Sequence, residues 1–457
     1  MTTVNDIIQA EDYGQFEIKE IYQAAQLLLQ EFQKTKQEPE KLGDLITHLK
    51  KRLEGQAAYP LAVMLECSQF GIRHQLQQDW NSPMKQRQLF LFESLHFQFR
   101  GKVPATVWNQ ICLNYSETLI YVGRAIEGIQ VVETMVEVAD DPSFARKDGE
   151  RGWGLLFYST FLQDTIEKAE ALHAARDFLR QSLEKIQDEN GRAIYAERLK
   201  LAENMLEKLG PVDVTSGYKP NFFEGREKEY RDWCAKHRLL LNSTNEFDAD
   251  NMMKIDTLSY RHKGDDKNHG AFLSGFMDAL VSEFTSLRWT LFEALEQDAK
   301  ESNRNERLKS VFRQAFSLFD KIASFLNQYY KLEVPEQRVG MQRIWFEEEH
   351  PKKPLKPFIQ NSENAALKAL YWQAKEVFGY ERSEQQSIPM LRALQLCHQM
   401  ERSFMQVIDS PEEVAKEGEL RKHQMTRLEL ERLSMAMTFR ARNALMYLGF
   451  ALGLRKK

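Results

Sequence analysis

The sequence predicts an all-α protein, and three observations carry the prediction. Apolar residues recur at three- and four-residue spacing in nearly every long segment, which is the period of a helix with one buried face. Phe312, Phe316, Phe319, Ala323, Leu326 and Tyr330 form one such stripe, and Leu428, Met435, Phe439, Leu445 and Leu448 repeat the theme near the C-terminus. Alternating runs of Val, Ile and Thr, which mark half-buried strands, are almost absent.

The 457 residues allow about two or three domains. Hydrophobic residues make up 42% and charged residues 28%, so each domain can bury a core and wholesale disorder is excluded. The longest nearly uninterrupted apolar run, from Ala444 to Leu454, falls far short of the about 20 residues that span a bilayer. Asp6, Glu11 and Asp12 interrupt the N-terminus before a signal-peptide core forms. A soluble, cytoplasmic protein with no membrane partner is expected. Net charge is −5, so a bound nucleic acid must meet a local basic patch rather than the whole surface.

The four cysteines, Cys67, Cys112, Cys234 and Cys397, are scattered and form no CxxC, which argues against a zinc site or a disulfide framework. The ten histidines form no HxxxH or HExxH pair. GxxxxGK[ST] is absent, and so is a GxGxxG following a strand. No cofactor and no metal site are therefore expected.

Clusters of Gly and Pro punctuate elements. Three breaks stand out: residues 208–225, which hold three glycines and two prolines; the polar stretch 248–270; and residues 350–357, with three prolines among lysines. The first break is the best domain boundary. The predicted organisation is a helical repeat domain over residues 1–212, a connecting segment over 213–269 and a helical bundle over 270–457.

The clearest helix pair of the N-terminal half runs from Trp108 to Pro142. Ser116 and Gly128 are small residues placed where two helices must touch. Gly123 and Arg124 make the turn, and Asp140, Asp141 and Pro142 end the second helix, because the residue before proline avoids helical geometry. The spacing resembles a tetratricopeptide repeat. Ser116 to Pro142 is roughly two residues longer than the matching span of a typical unit, and the first-helix Trp and Tyr are out of register. A next pair runs from Trp153 to Leu183. The alternative is an ordinary irregular helical domain. Either way stacked helices offer a concave surface, which suits binding, for example of a protein partner.

The C-terminal half carries a series of blocks: YRDWC at 230–234, HRLLLN at 237–242 with Asn245, EFTSLRWTLFE at 283–293, FDKIA at 319–323 with FLN at 325–327, RIW at 343–345, NAALKALYW at 364–372 and RNALMYL at 442–448. In this order they resemble bacterial proteins that join tetratricopeptide-like repeats to a C-terminal HEPN domain (higher eukaryotes and prokaryotes nucleotide-binding). The resemblance implies a short helical bundle that usually dimerises. It also implies a metal-independent endoribonuclease of the kind used in toxin–antitoxin, CRISPR and anti-phage systems. The signature of such domains is an Arg followed four to six residues later by a His, and in this family it reads roughly Arg-Asn-x-Leu-Glu-His on the helix after the NAALKALYW block.

This chain departs from that pattern. Cys397 stands at the Arg position, His398 at the Asn position, Glu401 at the Glu position and Arg402 at the His position. Both chemical types are present in the opposite order. Metal-free RNA cleavage needs a base for the ribose 2′-hydroxyl, a cation for the charge developing on phosphorus, and an acid for the leaving oxygen. Histidine suits the proton transfers and arginine the phosphate. His398 and Arg402 are four apart and share a helix face, and two copies facing each other would offer two of each. The exchange still moves both groups, and misplacement by about 1 Å can cost on the order of 100-fold in rate. The competing interpretation of His398, Glu401 and Arg402 is a solvated polar helix face.

Arg392 also precedes His398 at a permitted spacing, but in the wrong register. Arg442, Asn443 and Tyr447 imitate the motif with Tyr in place of His and read as core packing. Asp320 and Lys321 diverge on one helix and each is expected to brace a different neighbour. Arg288 and Glu293 are candidates to pair buried charge. His262 and His269, Lys352 to Lys356 and Arg455 to Lys457 are weak nucleic-acid signals. Two functional classes follow. One is a ribonuclease effector acting on RNA, dimeric through its C-terminal bundle, with a sensing repeat domain. The other is an inactive HEPN-derived scaffold, antitoxin or sensor.

Overall fold

The computed structural model describes residues 4–77, 79–213, 224–247, 256–258, 260, 267–296, 303–378, 389–409 and 424–453. It is helical in both halves. Among the described residues, strand pairing is limited to Gln406–Ile408 (β1) lying parallel to Gln424–Thr426 (β2) and one bridge between Phe346 and Leu355. No helix among them is long and apolar enough to cross a membrane.

The N-terminal half is a succession of helices: α1 (Val4–Gln9), α2 (Ile18–Thr35), α3 (Leu42–Leu53), α4 (Tyr59–Gln77), α5 (Pro83–Phe99), α6 (Ala105–Tyr121), α7 (Ala125–Glu133), α8 (Pro142–Ala145), α9 (Lys147–Ser159), α10 (Thr165–Lys185) and α11 (Glu189–Leu209). Several of their starts are set by side-chain caps. Asp164 accepts from the backbone of Ile166 and Glu167 at 2.9 and 3.0 Å to open α10, and Asp188 accepts from Gly191 at 2.6 Å to open α11. Glu17 and Glu20 form a capping box ahead of α2. The longer helices bury apolar residues at three–four spacing, as α2 does with Ile21, Ala24, Ala25, Leu28 and Phe32.

The contact expected between Ser116 and Gly128 is present. Ser116 Oγ donates to the Gly128 carbonyl at 2.9 Å, and a Cβ at Gly128 would crowd Ile120. Gly123 turns the chain with φ +88°, a region that favours glycine. The end of the second helix differs from expectation: α7 stops at Glu133, not at Pro142. The cause is Asn109, whose amide donates to the Val136 carbonyl at 2.7 Å and accepts from the Val136 amide at 2.8 Å. A side chain that satisfies both backbone groups removes the need for a further helical turn. Asp141 and Pro142 instead open α8, with Asp141 accepting from Ser143 and from Asn109.

The C-terminal half holds α13 (Lys267–Glu296), α14 (Arg304–Tyr330), α15 (Pro357–Gln360), α16 (Ala365–Phe378), α17 (Pro389–Arg402) and α18 (Arg427–Gly453), preceded by α12 (Gly225–Lys236). The α14 stripe is buried from Phe312 to Leu326. The C-terminal stripe is displaced from expectation: Leu428 is exposed, and the buried line of α18 runs through Leu430, Leu433, Met437, Ala441 and Leu445. Within the predicted connecting segment, α12 leads to residues 239–246, which are buried.

One apolar core runs through both halves, from Val63 to Leu452, beside a smaller core built from α1 to α4. Ion pairs cross the contact between halves. Arg124, buried, pairs with Glu127 at 3.2 Å and with Glu376. Arg440 bridges Glu376 at 2.7 Å and Glu93 at 2.8 Å. Arg442, fully buried, pairs with Glu246 and donates to the carbonyls of Leu240 and Asn242. Tyr447 donates to Glu127 and accepts from the Ile126 amide at 3.2 Å. Arg442 and Tyr447 are thus packing residues, as expected.

Two predictions follow. Arg442→Met leaves Glu246 as an unpaired buried charge and is expected to cost about 3–5 kcal/mol in urea unfolding, whereas Arg442→Met combined with Glu246→Leu recovers most of that loss. His74 is 2% exposed, with Nδ1 at 2.8 Å from Ser82 Oγ. Burial, helped by the nearby Lys85 charge, lowers its pKa to about 4. Between about pH 6.5 and pH 4 the unfolded chain therefore binds the extra proton, and stability falls as pH falls through that window. His74→Gln is expected to flatten the melting-temperature profile there, and an unchanged slope would count against the assignment.

Candidate functional site

α17 lies on the bundle with Ala393, Leu396, Cys397 and Met400 buried against its neighbours, a spacing of three, four and seven. His398, Glu401 and Arg402 are exposed. The structure thus brings the predicted His398 and Arg402 to one solvent-facing side, one turn apart. The last turn closes with the Ser403 amide donating to the Gln399 carbonyl at 2.7 Å. Arg402 sits in that turn, where the carbonyl end of the helix favours a cation. Beyond it Phe404 is 73% exposed, with Lys309 Nζ 6.0 Å from its ring centre.

The neighbourhood of His398 is mixed in charge. Asp320 of α14 accepts from the Met341 amide at 3.0 Å. Its carboxyl is raised above the ordinary range, first by desolvation and then by the Glu401 charge, against the Met341 hydrogen bond and the Arg343 charge. One carboxylate thus lies within electrostatic reach of His398, Glu401 and Arg343 together. Cys397 points inward; its thiol is 4.0 Å from Glu401 Oε1. Burial, and then the Glu401 charge, pushes it up to about 12, so it is neither a nucleophile nor a phosphate ligand near neutral pH.

The remaining predicted residues divide clearly. Lys321 pairs with Glu283 of α13 at 2.6 Å while Asp320 holds the chain at Met341, so each braces a different segment. Arg288 is buried and forked onto Asp256 at 2.9 and 2.6 Å, with Tyr230 Oη at 2.7 Å and the Leu239 carbonyl at 2.8 Å. This is a structural clamp, and burial is more than offset by Asp256 in holding its pKa above the usual value. Glu293 pairs with Arg226 at 3.3 Å. Lys353 and Lys356 pair with Glu348 and Glu349. His262, Arg455 to Lys457 and the side chain of Arg392 lie outside the described residues. Among the described residues no group of three or more His, Cys, Asp or Glu is placed to hold a metal ion.

Sequence reasoning missed a recess of about 410 Å³ lined by Arg338, Gln342, Arg343, Glu348, Glu349 and His350. Arg343 entered above only as the first residue of a family block. A residue cluster of two arginines and a histidine within thirteen positions was the available signal.

Residues 265–455 match the LA2681-like HEPN family model. The match spans α13 to α18 and supports a HEPN-domain protein, with α17 and its exposed His398 inside the HEPN region. No curated protein and no solved structure matches the chain. The inward position of Cys397 on this HEPN helix can be checked with iodoacetamide at pH 7.5. Cys397 is expected to remain unmodified in the native protein and to react fully in 6 M guanidinium; native labelling at the rate of a free thiol would show that α17 does not pack as described.

Proposed function

We propose that this chain is a HEPN-type, metal-independent endoribonuclease that works as a dimer through its C-terminal bundle, with the N-terminal helices as a binding or sensing surface. The observation that carries the proposal is the family match over a helix that presents His398 and Arg402 to solvent on one side. In this scheme His398 of one copy takes the proton from a ribose 2′-hydroxyl. The freed oxygen attacks phosphorus, and the 5′-oxygen leaves with a proton from His398 of the second copy. The products are a 2′,3′-cyclic phosphate and a 5′-hydroxyl. Arg402 carries the charge of the crowded phosphorus centre, and Glu401 anchors or orients the helix.

A second function is favoured by one specific observation. Asp320 and Glu401 put negative charge beside His398, and a helix C-terminus adds to it. Such a face suits an inactive HEPN-derived scaffold that binds protein or RNA.

Cleavage assays separate the two. Purified protein, with its partner or trigger supplied, is expected to cut tRNA, mRNA or total RNA in the presence of EDTA. His398→Ala should lower the rate about 100- to 10,000-fold, the contribution of a general acid or base. Arg402→Lys should also cut activity heavily, because an ammonium cannot make the forked contact. Both side chains are exposed, so neither change should move the melting temperature beyond a few degrees. Full activity in His398→Ala, or no cleavage by the wild type, sinks the nuclease assignment and leaves the scaffold.

A further inference from the structure

The chain between α14 and α16 is a folded loop rather than a slack connection. Trp345 is buried, and its Nε1 donates to the Met341 carbonyl at 2.8 Å. The Glu347 amide donates to Pro354 at 2.9 Å and the Lys356 amide to Trp345 at 2.8 Å, which pins the two arms on either side of the Phe346–Leu355 bridge. At its tip Glu348 and Glu349 are consecutive residues with φ of 53° and 51°. Non-glycine residues occupy that left-handed region only where the surroundings hold them there. The recess described above is the space this loop encloses.

The charges of the recess do not cancel. Glu348 is taken by Lys353 at 3.1 Å, and Glu349 by Lys356 at 3.1 Å, with Arg338 only loosely attached at 3.9 Å. Two lysines thus match the two carboxylates and leave two guanidiniums in excess. Among the described residues Arg343 has no carboxylate within ion-pair distance. His350 Nδ1 accepts from the Lys352 amide at 3.2 Å, which leaves Nε2–H as the donor of the neutral ring. Gln342 adds a neutral donor and acceptor. The lining is therefore built to receive an anion.

We propose that this recess is a subsite for a backbone phosphate of a single-stranded RNA that continues across the His398 face. Apart from the His350 imidazole the lining has no aromatic ring, so the ligand is recognised chiefly through its phosphate and ribose rather than through a stacked base. Its volume admits about one nucleotide unit. A flexible strand can turn one phosphate into a loop recess, whereas the phosphates of a duplex are fixed on an A-form cylinder. Continuity with α17 comes from α14, whose Asp320 accepts from the Met341 amide at 3.0 Å, two residues before Arg343, and which packs against α17. The proposal rests on the chain acting on RNA.

The test is fluorescence anisotropy of a labelled 12-nucleotide 2′-O-methyl RNA, which resists cleavage, with the full chain over a range of salt. Arg338→Gln combined with Arg343→Gln is expected to weaken binding by about tenfold or more, the loss of charged hydrogen bonds to phosphate. The slope of log affinity against log salt should become shallower by about 0.7, one single-strand phosphate contact. Both arginines are exposed, and a thermal melt verifies that the double variant folds. Wild-type binding with an unchanged affinity and slope in the double variant overturns the subsite and leaves the RNA assignment standing. The expected loss of binding without cleavage of ordinary RNA keeps the subsite and removes the nuclease. A wild type that binds no RNA overturns both.

Discussion

Two arginines that bridge the N-terminal helices and the C-terminal bundle, and a third that ties the closing helix to the connecting segment, constrain the rest of the structure. Arg124 reaches across that contact to Glu376 and Arg440 to Glu93, while Arg442 joins the closing helix to Glu246 and the Leu240 carbonyl of the connecting segment. A buried charge without a partner costs several kcal/mol, while a well-made pair gives little net stability over an apolar replacement. The layer therefore selects an arrangement more than it strengthens one. Glu376 sits between Arg124 and Arg440 and is held at about pH 2 by them, against its own burial. Glu93 shares Arg440 but is pushed above the ordinary carboxyl range, by burial first and then by the Glu376 charge. Two guanidiniums, Arg124 and Arg440, thus face the carboxyl groups of Glu376, Glu127 and Glu93. Sliding one half past the other by a single helical turn would break that balance.

This constraint extends to the candidate site. Glu376 belongs to α16, and the same helix sends Tyr371 and Lys375 back to Asn81 at 2.7 and 3.0 Å. Asn364, ahead of α16, donates to the Ala451 carbonyl of α18 at 2.7 Å. α16 is thereby fixed to the N-terminal helices at one side and to the closing helix at the other. α17 packs against α16, α14 and α5. A ligand that shifts α4 or α5 thus has a physical path to α17 through two packed elements. No long-range field is needed, because packed helices respond to displacement by changing contacts.

Much of this was legible in the sequence where the signal was local. The helical class followed from periodicity, and the Ser116–Gly128 contact followed from small residues at a helix-pair spacing. Arg442 and Tyr447 were readable as packing, but their partners Glu246 and Glu127 were not, because they lie about 200 and 320 residues away. The end of α7 was misread since the proline rule marks where a helix must stop, while Asn109 makes it stop earlier through a contact from another helix. Arg288 was singled out as a buried charge seeking a partner; the partner, Asp256, sits in a polar stretch that composition alone marks as loop. The loop arginines Arg338 and Arg343 escaped notice for a related reason: their significance lies in the pairing of Glu348 and Glu349 with lysines, which only the folded loop creates.

The balance of charge around α17 sets how any polyanion would be held there. Arg313, Arg343, Arg402 and His398 are set against Asp320 and Glu401 on exposed positions of α14, α17 and the loop. A nucleic-acid surface that works by field alone is strongly one-signed, draws its ligand from a distance and loses it steeply with salt. This face is not one-signed, and the chain as a whole is at −5. Affinity for phosphate must then come from a few donors at short range, in places where acidic neighbours are already neutralised. The loop recess meets that condition through Lys353 and Lys356. The α17 face meets it less fully, because Asp320 is satisfied only by a backbone amide and keeps its carboxyl in reach of His398. On the proposed reading, a phosphate-bearing strand would therefore be pinned at the loop recess rather than at His398.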